Sequence, residues 1–119
     1  MAQKYIEKPL IVIGKKFDVR QWVLVSSIHP LIIWMYREPY CRFTSQDYDP
    51  NKVRNKFAHL CNACVNNQNP ESAGQVVTEG EHKIVHNMWD SSQFSAYLKD
   101  TYGFEKTGLN DPWEEKIWP

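Results

Sequence analysis

Apolar and polar residues near the start of the chain predict a strand over residues 17–27. Hydrophobic side chains occupy both of its alternating faces, which is the pattern of a central strand covered on each side. Trp22 and Leu24 lie on the same face as the charged residues before them and are expected to continue that face into a core. A preceding strand is predicted over residues 5–13, with a turn between the two at residues 14–16.

A partner strand is predicted over residues 31–43, antiparallel to the strand over residues 17–27. His29-Pro30 marks the turn between the two strands, and Pro39 interrupts the second with a bulge or an edge, because proline cannot donate to a strand ladder. In this arrangement Arg42 returns to the charged end of the strand over residues 17–27.

The second half of the chain is less regular. Apolar alternation over residues 57–65 predicts another short strand, and the Asn, Gln, Gly, Glu and Ser content of residues 66–86 predicts a flexible loop. A helix then begins at Asp90 or Ser91 and ends at Gly103. Its apolar stripe consists of Phe94, Tyr97 and Leu98.

A last helix is predicted to begin at Asp111-Pro112, where an N-cap residue precedes a proline at the first helical position. Trp113 and Ile117 form an apolar pair four residues apart that requires a core to cover it. Because the chain stops at Pro119, we expect a fragment of a longer protein. The elements together predict an α+β fold with an antiparallel sheet and flanking helices.

Composition narrows the functional classes. The 119 residues are 42% hydrophobic and contain 14 basic and 14 acidic residues, so the chain is long enough for one core and carries no overall charge for nucleic acid or an anionic membrane. No apolar run approaches the roughly 20 residues of a membrane-spanning helix, and no signal peptide is visible. Cys41, Cys61 and Cys64 are odd in number and predict reduced thiols in an intracellular protein.

A local cluster of cations is the first candidate for chemistry. Lys16, Asp18 and Arg20 alternate along one strand face, with Lys4 before them and Arg42 returning from the partner strand. Such a cluster could hold a polyphosphate, because lysine and arginine supply the charge and donors that phosphoryl transfer needs. The alternative is an ordinary surface ladder of ion pairs.

A pair of cysteines followed by two histidines resembles the ligand order of a zinc finger: Cys61, Cys64, His82 and His86. The spacing argues against zinc, since 17 residues separate the second cysteine from the first histidine where a classical finger has about 12. A redox role for the cysteine pair lacks the expected βαβ context.

Tryptophans are the third candidate. Trp22 and Trp34 are expected in the core, where aromatic side chains on adjacent strands pack together. A stacking platform for nucleic acid would need a basic groove, which the neutral composition does not predict.

Several motifs in the same order resemble the tubulin–tyrosine ligase-like family: QKYIEKPL at residues 3–10, KFDVRQWVLV at 16–25, YCRF at 40–43 and HLCN at 59–62. Within that family, RQW at 20–22, the segment 30–43 and NMWDSSQF at 87–94 look most like the tubulin glycylases, of the monoglycylase type. The resemblance covers nearly the whole chain except about residues 66–86.

This resemblance implies the central part of an ATP-grasp domain, and so a partial ATP-grasp fold for residues 1–119. It also implies an ATP-dependent ligase that adds glycine to glutamate side chains of tubulin. ATP would convert the carboxylate into an acyl phosphate that the glycine amine attacks, with Lys, Arg and Mg²⁺ stabilising the phosphate charge.

The resemblance also implies nucleotide-binding residues by position. Lys16 and Asp18 would hold phosphate and ribose, and Cys61 and Asn62 would border the nucleotide. The adenine-side hinge would be formed by Gln3, Lys4, Tyr5 and Ile6.

Arg42 and Lys16 are the residues to which the resemblance assigns catalysis. Arg42 would face the incoming amino acid or the acyl phosphate, and Arg20 would contact phosphate or pair with Asp18. No metal ligand is predicted within the chain. The family's phosphate loop is expected before Gln3 and its Glu-x-Asn magnesium ligands after Pro119, so the chain alone is expected to be inactive and prone to aggregation.

Two alternatives remain beside a glycine ligase: a tubulin polyglutamylase of the same family, and a noncatalytic module that binds nucleotide or tubulin. The implied partners are tubulin or microtubules and glycine, with no nucleic acid and no membrane. The implied location is the cytoplasm and cytoskeleton, in the axoneme of a cilium or flagellum.

Overall fold

The computed structural model describes residues 2–103 and has the mixed α+β character predicted from the sequence. The helix predicted from Asp111, with Trp113 and Ile117, lies outside the described residues. The strands are β1 (Ile11–Val12), β2 (Lys15–Arg20), β3 (Val23–Ile28), β4 (Leu31–Met35), β5 (Tyr40–Phe43), β6 (Val76–Glu79), β7 (His82–Val85) and β8 (Met88–Asp90). The helices are α1 (Lys56–His59), α2 (Ala63–Asn66) and α3 (Ser91–Tyr102), with a 3₁₀ turn at Pro70–Ser72.

Six strands form one sheet in the order β1-β2-β5-β8-β7-β6, and β3 and β4 form a separate two-stranded sheet. The pairs β1–β2, β3–β4, β6–β7 and β7–β8 are antiparallel. The turn between β1 and β2 places Ile13 and Gly14 at φ 49° and 73°, which is the left-handed geometry of a tight two-residue hairpin turn. Glycine adopts the positive φ at the second position without the backbone strain that a residue with a side chain would have there.

The chain divides into two compact units. The described part of the first comprises residues 2–18 and 42–88, and that of the second comprises residues 19–41 and 89–103. The core of the first unit includes fully buried Val12, Phe43 and Ala58. Phe17 packs against Phe43 with ring centroids 5.9 Å apart.

Polar side chains are buried with that core. Asn66 donates to the Phe43 carbonyl at 3.0 Å and accepts from the Ser45 amide at 3.2 Å. Asn69 donates to the Ser45 hydroxyl at 3.1 Å. Each of these buried polar groups has a hydrogen-bond partner. The network therefore fixes the chain after β5 without the free-energy cost of a buried polar group left unpaired.

Helix α3 in the second unit confirms the sequence prediction at both ends. Asp90 caps the helix by accepting from the Gln93 amide, and the Gln93 side chain accepts from the Asp90 amide in return, which completes a capping box. Gly103 ends the helix at φ 59°. The predicted apolar stripe is buried: Phe94, Tyr97 and Leu98.

The prediction of one central strand over residues 17–27 is wrong. The stretch divides into β2 and β3 at Gln21-Trp22, where the Gln21 side chain donates to the carbonyls of Trp22 and Tyr36. The stretch 31–43 likewise divides into β4 and β5, with residues 36–39 between them. The antiparallel pairing of β3 with β4 and the interruption near Pro39 are confirmed.

The expected burial of Trp22, Leu24 and Trp34 is also wrong, because these side chains are 54%, 64% and 64% exposed. Both faces of the β3–β4 hairpin are apolar, which is the pattern of a covered strand, but among the described residues both faces remain accessible. Apolar alternation identifies a strand suited to burial and does not identify what would cover it.

Three further predictions fail locally. The strand predicted over residues 5–13 is reduced to β1, and residues 57–65 form parts of α1 and α2 in place of a strand. Asn55 begins α1 by accepting from the Phe57 amide, a capping interaction that favours helix over strand. The loop predicted over residues 66–86 instead contains the 3₁₀ turn and the β6–β7 hairpin.

Candidate functional site

A two-pronged ion pair joins β2 and β5 in the first unit. Arg42 Nε donates to Asp18 Oδ1 at 2.8 Å, and Arg42 Nη2 donates to Asp18 Oδ2 at 2.7 Å. The predicted return of Arg42 to the charged end of the β2 strand is therefore confirmed. A bidentate guanidinium–carboxylate pair fixes the plane of the arginine, which a single ion pair does not.

Lys16 lies on the same strand as Asp18 and contacts Tyr5. Its ammonium donates to the Tyr5 hydroxyl at 3.1 Å and lies 4.4 Å from the centroid of the Tyr5 ring. The tyrosine therefore holds the cation through both its hydroxyl and its ring. This contact ties the segment before β1 to the strand that carries the predicted phosphate-binding lysine.

His59, at the end of α1, extends the contact further. The Tyr5 hydroxyl lies 2.7 Å from His59 Nδ1, and His59 Nε2 lies 3.1 Å from the Lys52 carbonyl. The imidazole is buried and meets the rings of Tyr5 and Tyr48 edge-on, at centroid distances of 5.8 and 5.3 Å. Sequence reasoning assigned no role to His59, although it opens the HLCN motif.

Cys61 follows the same helix and is buried beside β2. Its thiol donates to the Lys16 carbonyl at 3.6 Å. Burial, followed by the nearby Asp18 carboxylate, raises the pKa of Cys61 to about 12, whereas Lys16 and Arg42 act in the opposite direction. The thiol is therefore protonated and unreactive at neutral pH.

We call Lys16, Asp18, Arg42 and Cys61 the basic cluster. The structure brings these four predicted residues together in the first unit, two cations and one carboxylate around a neutral thiol. Asn62 is exposed and precedes α2 as its N-cap residue.

The remaining predicted residues lie elsewhere. Gln3, Lys4 and Ile6 are exposed in the irregular segment before β1. Arg20 belongs to the second unit, where its guanidinium lies 5.0 Å from the Trp22 ring centroid. Asp18 pairs with Arg42, which is not the pairing with Arg20 considered from the sequence.

A third cation, Lys15, was not predicted because the residue reads as part of a turn. Its side chain is buried, donates to the Ser45 carbonyl at 3.0 Å and lies 3.5 Å from the Asp47 carboxylate. Burial lowers the pKa of Lys15, against the opposing effect of Asp47. Lys15 and Lys16 are consecutive residues of β2, so their side chains point to opposite faces. Lys15 joins the buried polar network through its hydrogen bond to the Ser45 carbonyl.

A cleft of about 580 Å³ opens beside Tyr5 and His59, with Val53 and Leu60 among its lining residues. This volume is in the range of small-ligand sites. Two cations, Arg54 and Lys56, and the carboxylate of Glu7 also border the cleft.

The zinc alternative gains no support from residues 2–103. No group of three or more His, Cys, Asp or Glu side chains within that range is placed to hold a metal ion. Cys61 lies beside β2, whereas His82 begins β7 and His86 lies in the turn before β8. Among the same residues, no helix has the length and apolar character needed to cross a membrane.

Comparison with known proteins matches the Tubulin-tyrosine ligase family over residues 1–117. Tubulin glycylase 3A of Drosophila melanogaster is 38% identical over 119 residues, which is 100% of this chain and 11% of the relative. The human proteins Protein monoglycylase TTLL8 and Tubulin monoglycylase TTLL3 are 37% and 38% identical over 100% of the chain. The chain spans 13% and 14% of their respective lengths.

Proposed function

Because the chain belongs to the tubulin-tyrosine ligase family, we propose that the protein carrying it is an ATP-dependent ligase that joins glycine to glutamate side chains of tubulin. The observation that carries this proposal is the similarity to glycylases from fly and human along the entire chain. The proposed fold is that of an ATP-grasp domain, of which this chain forms the central part.

The proposed reaction has two steps. The γ-phosphoryl group of ATP passes to a glutamate carboxylate oxygen, giving an acyl phosphate and ADP. The amino nitrogen of glycine then attacks the acyl carbon, the bond from that carbon to the phosphate oxygen breaks, and phosphate leaves with the electron pair as the amide forms and the amine loses a proton. Charge rests on phosphate oxygens throughout, so fixed cations are the main requirement on the protein.

The basic cluster supports this requirement. Lys16 is a compact cation suited to phosphate, and its contact with Tyr5 restricts where its ammonium can lie. Arg42 is held in one plane by Asp18, and we assign it to the incoming amino acid or the acyl phosphate. Neither residue forms a covalent intermediate in this scheme, in which they orient the reactants and stabilise charge.

We assign the nucleotide by the positions that match the family's motifs. The hinge residues are Gln3, Lys4, Tyr5 and Ile6. Asp18 is assigned to the ribose, and Cys61 and Asn62 to the border of the nucleotide. The neutral thiol of Cys61 suits a border position because it adds no negative charge beside phosphate. Arg20 is assigned to phosphate.

Mg²⁺ would supply further charge neutralisation at the phosphates. Residues 2–103 gather no set of ligands for it, so its ligands are proposed in another part of the protein, and no role in the steps above depends on it. We place the enzyme in the cytoplasm on the microtubule cytoskeleton, including the axoneme of cilia or flagella.

The test is incorporation of labelled glycine into purified tubulin by the full-length protein with ATP. Lys16→Ala is expected to lower the rate by about 100-fold, the usual effect of removing one charge-stabilising group. Lys52→Ala is the matched control, because its exposed ammonium pairs with Asp49 and the substitution keeps the backbone carbonyl that His59 contacts, so we expect a change below about twofold.

The amino acid is tested in the same assay with labelled glutamate. Incorporation of glycine alone supports the proposal, whereas incorporation of glutamate alone identifies a polyglutamylase and contradicts it. Folded protein that binds tubulin and incorporates neither amino acid would indicate a noncatalytic module.

A further inference from the structure

A chain of hydrogen bonds leads from Lys16 to the interior of the first unit. The Lys16 ammonium donates to the Tyr5 hydroxyl at 3.1 Å, which lies 2.7 Å from His59 Nδ1. The opposite ring nitrogen, Nε2, lies 3.1 Å from the Lys52 carbonyl. The three side chains come from the segment before β1, from β2 and from α1.

The direction of each bond follows from the partners at its two ends. A carbonyl oxygen can only accept, so His59 Nε2 carries a hydrogen and donates it to Lys52. In a neutral imidazole Nδ1 is then an acceptor, and the Tyr5 hydroxyl donates to it. The Tyr5 oxygen, having given its hydrogen inward, presents its lone pairs to the Lys16 ammonium.

We propose that His59 and Tyr5 are positioning residues that hold the Lys16 ammonium in place for a nucleotide phosphate. The inference rests on the proposed function, since it assumes that Lys16 binds phosphate. His59 does not touch the nucleotide in this scheme and acts through Tyr5.

The physical reason is preorganisation. A lysine side chain has four rotatable bonds and loses much of their freedom when its ammonium binds an anion. Here the Tyr5 hydroxyl and ring restrict the ammonium before any ligand arrives, and His59 fixes the hydroxyl. Less freedom is then lost on binding, which raises affinity without a new contact to the ligand.

The burial of His59 restricts the motion of the imidazole that holds the Tyr5 hydroxyl. The ring is 6% exposed and is enclosed edge-on by Tyr5 and Tyr48. Its helix begins at Asn55, whose side chain caps Phe57 and donates to Gln46 at 2.8 Å. The hydrogen-bond chain therefore starts from a backbone carbonyl and a buried ring, and it reaches Lys16 through Tyr5, which is 42% exposed.

The experiment measures the affinity of the full-length protein for a non-hydrolysable ATP analogue by calorimetry. Tyr5→Phe keeps the ring under Lys16 and removes only the hydroxyl, and we expect affinity to fall about fivefold. His59→Leu should give a similar loss. His59→Gln should restore affinity to within about twofold, because its amide can accept from Tyr5 and donate to Lys52.

The second readout is independent of nucleotide and activity. The rate at which an amine-reactive reagent modifies Lys16 is measured by mass spectrometry in the protein without ligand. Tyr5→Phe and His59→Leu should raise this rate by about threefold, since the ammonium is no longer held by the hydroxyl. His59→Gln should leave it near the original value.

Ile84→Val is the control for general loosening, because it removes one methyl group from the buried core at β7 and leaves every group of the hydrogen-bond chain in place. It should lower the melting temperature without changing Lys16 labelling or nucleotide affinity. Losses of affinity in Ile84→Val equal to those in Tyr5→Phe would overturn the positioning role, as would unchanged labelling of Lys16 in Tyr5→Phe.

Lys16→Ala separates this inference from the proposed function. A loss of affinity in Lys16→Ala with none in Tyr5→Phe or His59→Leu overturns the positioning role and leaves the proposed nucleotide site standing. Unchanged affinity in Lys16→Ala overturns the phosphate role of Lys16, and the positioning role with it.

Discussion

The first unit and the β3–β4 hairpin of the second are both rich in large apolar side chains but differ in how those side chains are used. Phe43 in the first unit is fully buried, whereas Trp34 on the hairpin is 64% exposed. Buried polar groups of the first unit are joined in a network around Ser45 and Asn66. The hairpin is held by its backbone ladder and by the side-chain hydrogen bonds of Gln21 and Ser26.

The difference explains where the candidate site lies. The roles proposed for Arg42 and Lys16 require fixed positions, and a packed core with a satisfied polar network supplies that rigidity. An apolar ladder exposed on both faces has few side-chain contacts that could fix a charged group. Substitutions at Phe43 and Trp34 compare the two regions directly, and substitutions at Asn66, Cys61 and Arg42 test the first unit.

The largest expected effect is on the core of the first unit. Phe43→Ala should lower the free energy of unfolding by about 3–5 kcal/mol, because it removes a buried ring and leaves a cavity beside Phe17. Trp34→Ala on the hairpin should cost less than about 1 kcal/mol, since most of the ring is already in water. Denaturant unfolding of both variants of the chain measures the contrast, and equal losses would break the comparison.

The second prediction concerns the polar network. Asn66→Ala should destabilise the chain by about 2–3 kcal/mol, because the Phe43 carbonyl and the Ser45 amide both lose a buried partner. Asn67 is exposed at the end of the same helix and is the matched control, with an expected change within about 0.5 kcal/mol after Asn67→Ala. Thermal unfolding of the two variants measures the contrast. An unchanged melting temperature in Asn66→Ala would show that the polar network does not contribute to stability.

The third prediction is a pH dependence from Cys61. Its pKa is raised from 9.0 to about 12 in the folded state, so the folded protein retains a proton that the unfolded chain releases. The stability contributed by the neutral thiol is full below pH 9 and is lost as pH rises toward 12, with a slope of at most about 1.4 kcal/mol per pH unit.

Cys61→Ala removes this dependence, and the difference between the two pH profiles isolates it. Lys15 acts with the opposite sign, since its pKa is lowered by burial and the unfolded chain binds more protons below pH 10.5. Lys15 is present in both proteins and cancels in the difference. Parallel profiles of the parent chain and Cys61→Ala would contradict the assigned burial.

The smallest expected effect on stability is at the Arg42–Asp18 pair. The Asp18 side chain is 41% exposed, so solvent screens the pair, and Arg42→Lys should cost about 1 kcal/mol or less. Under the proposed function, the loss of glycine incorporation by the full-length protein should be far larger, because lysine cannot reproduce the planar two-pronged contact. A fall in stability that matches the fall in activity would indicate a structural role in place of a functional one.

Local sequence signals predicted some elements closely. Asp90 and Gln93 form the capping box that begins α3, and Gly103 ends the helix. The residues that set both ends of α3 therefore lie within one short stretch of sequence. The motif at residues 16–25 likewise identifies Lys16 and Asp18 by residue identity alone. The return of Arg42 to the charged end of β2 was predicted from the chain reversal before it, although the strands divide differently and its pairing with Asp18 was not predicted.

Other features were beyond a local signal. Residues 57–65 alternate like a strand, and short apolar runs do not distinguish a strand from a one-turn helix until a cap such as Asn55 is weighed. The bond between Tyr5 and His59 joins residues 54 positions apart, and no periodicity indicates it. The exposure of Trp22 and Trp34 depends on what packs against the hairpin, which an apolar pattern does not contain.

The sequence by itself determined the family, the composition of the basic cluster and the helix with strong caps. Each of these depends on residue identity or on interactions between near neighbours. The tertiary structure decided which apolar faces are buried, that Asp18 pairs with Arg42, and that Lys16 is tied to His59 through Tyr5. Burial and long-range hydrogen bonds are properties of the whole chain, since each requires distant segments to exclude water together.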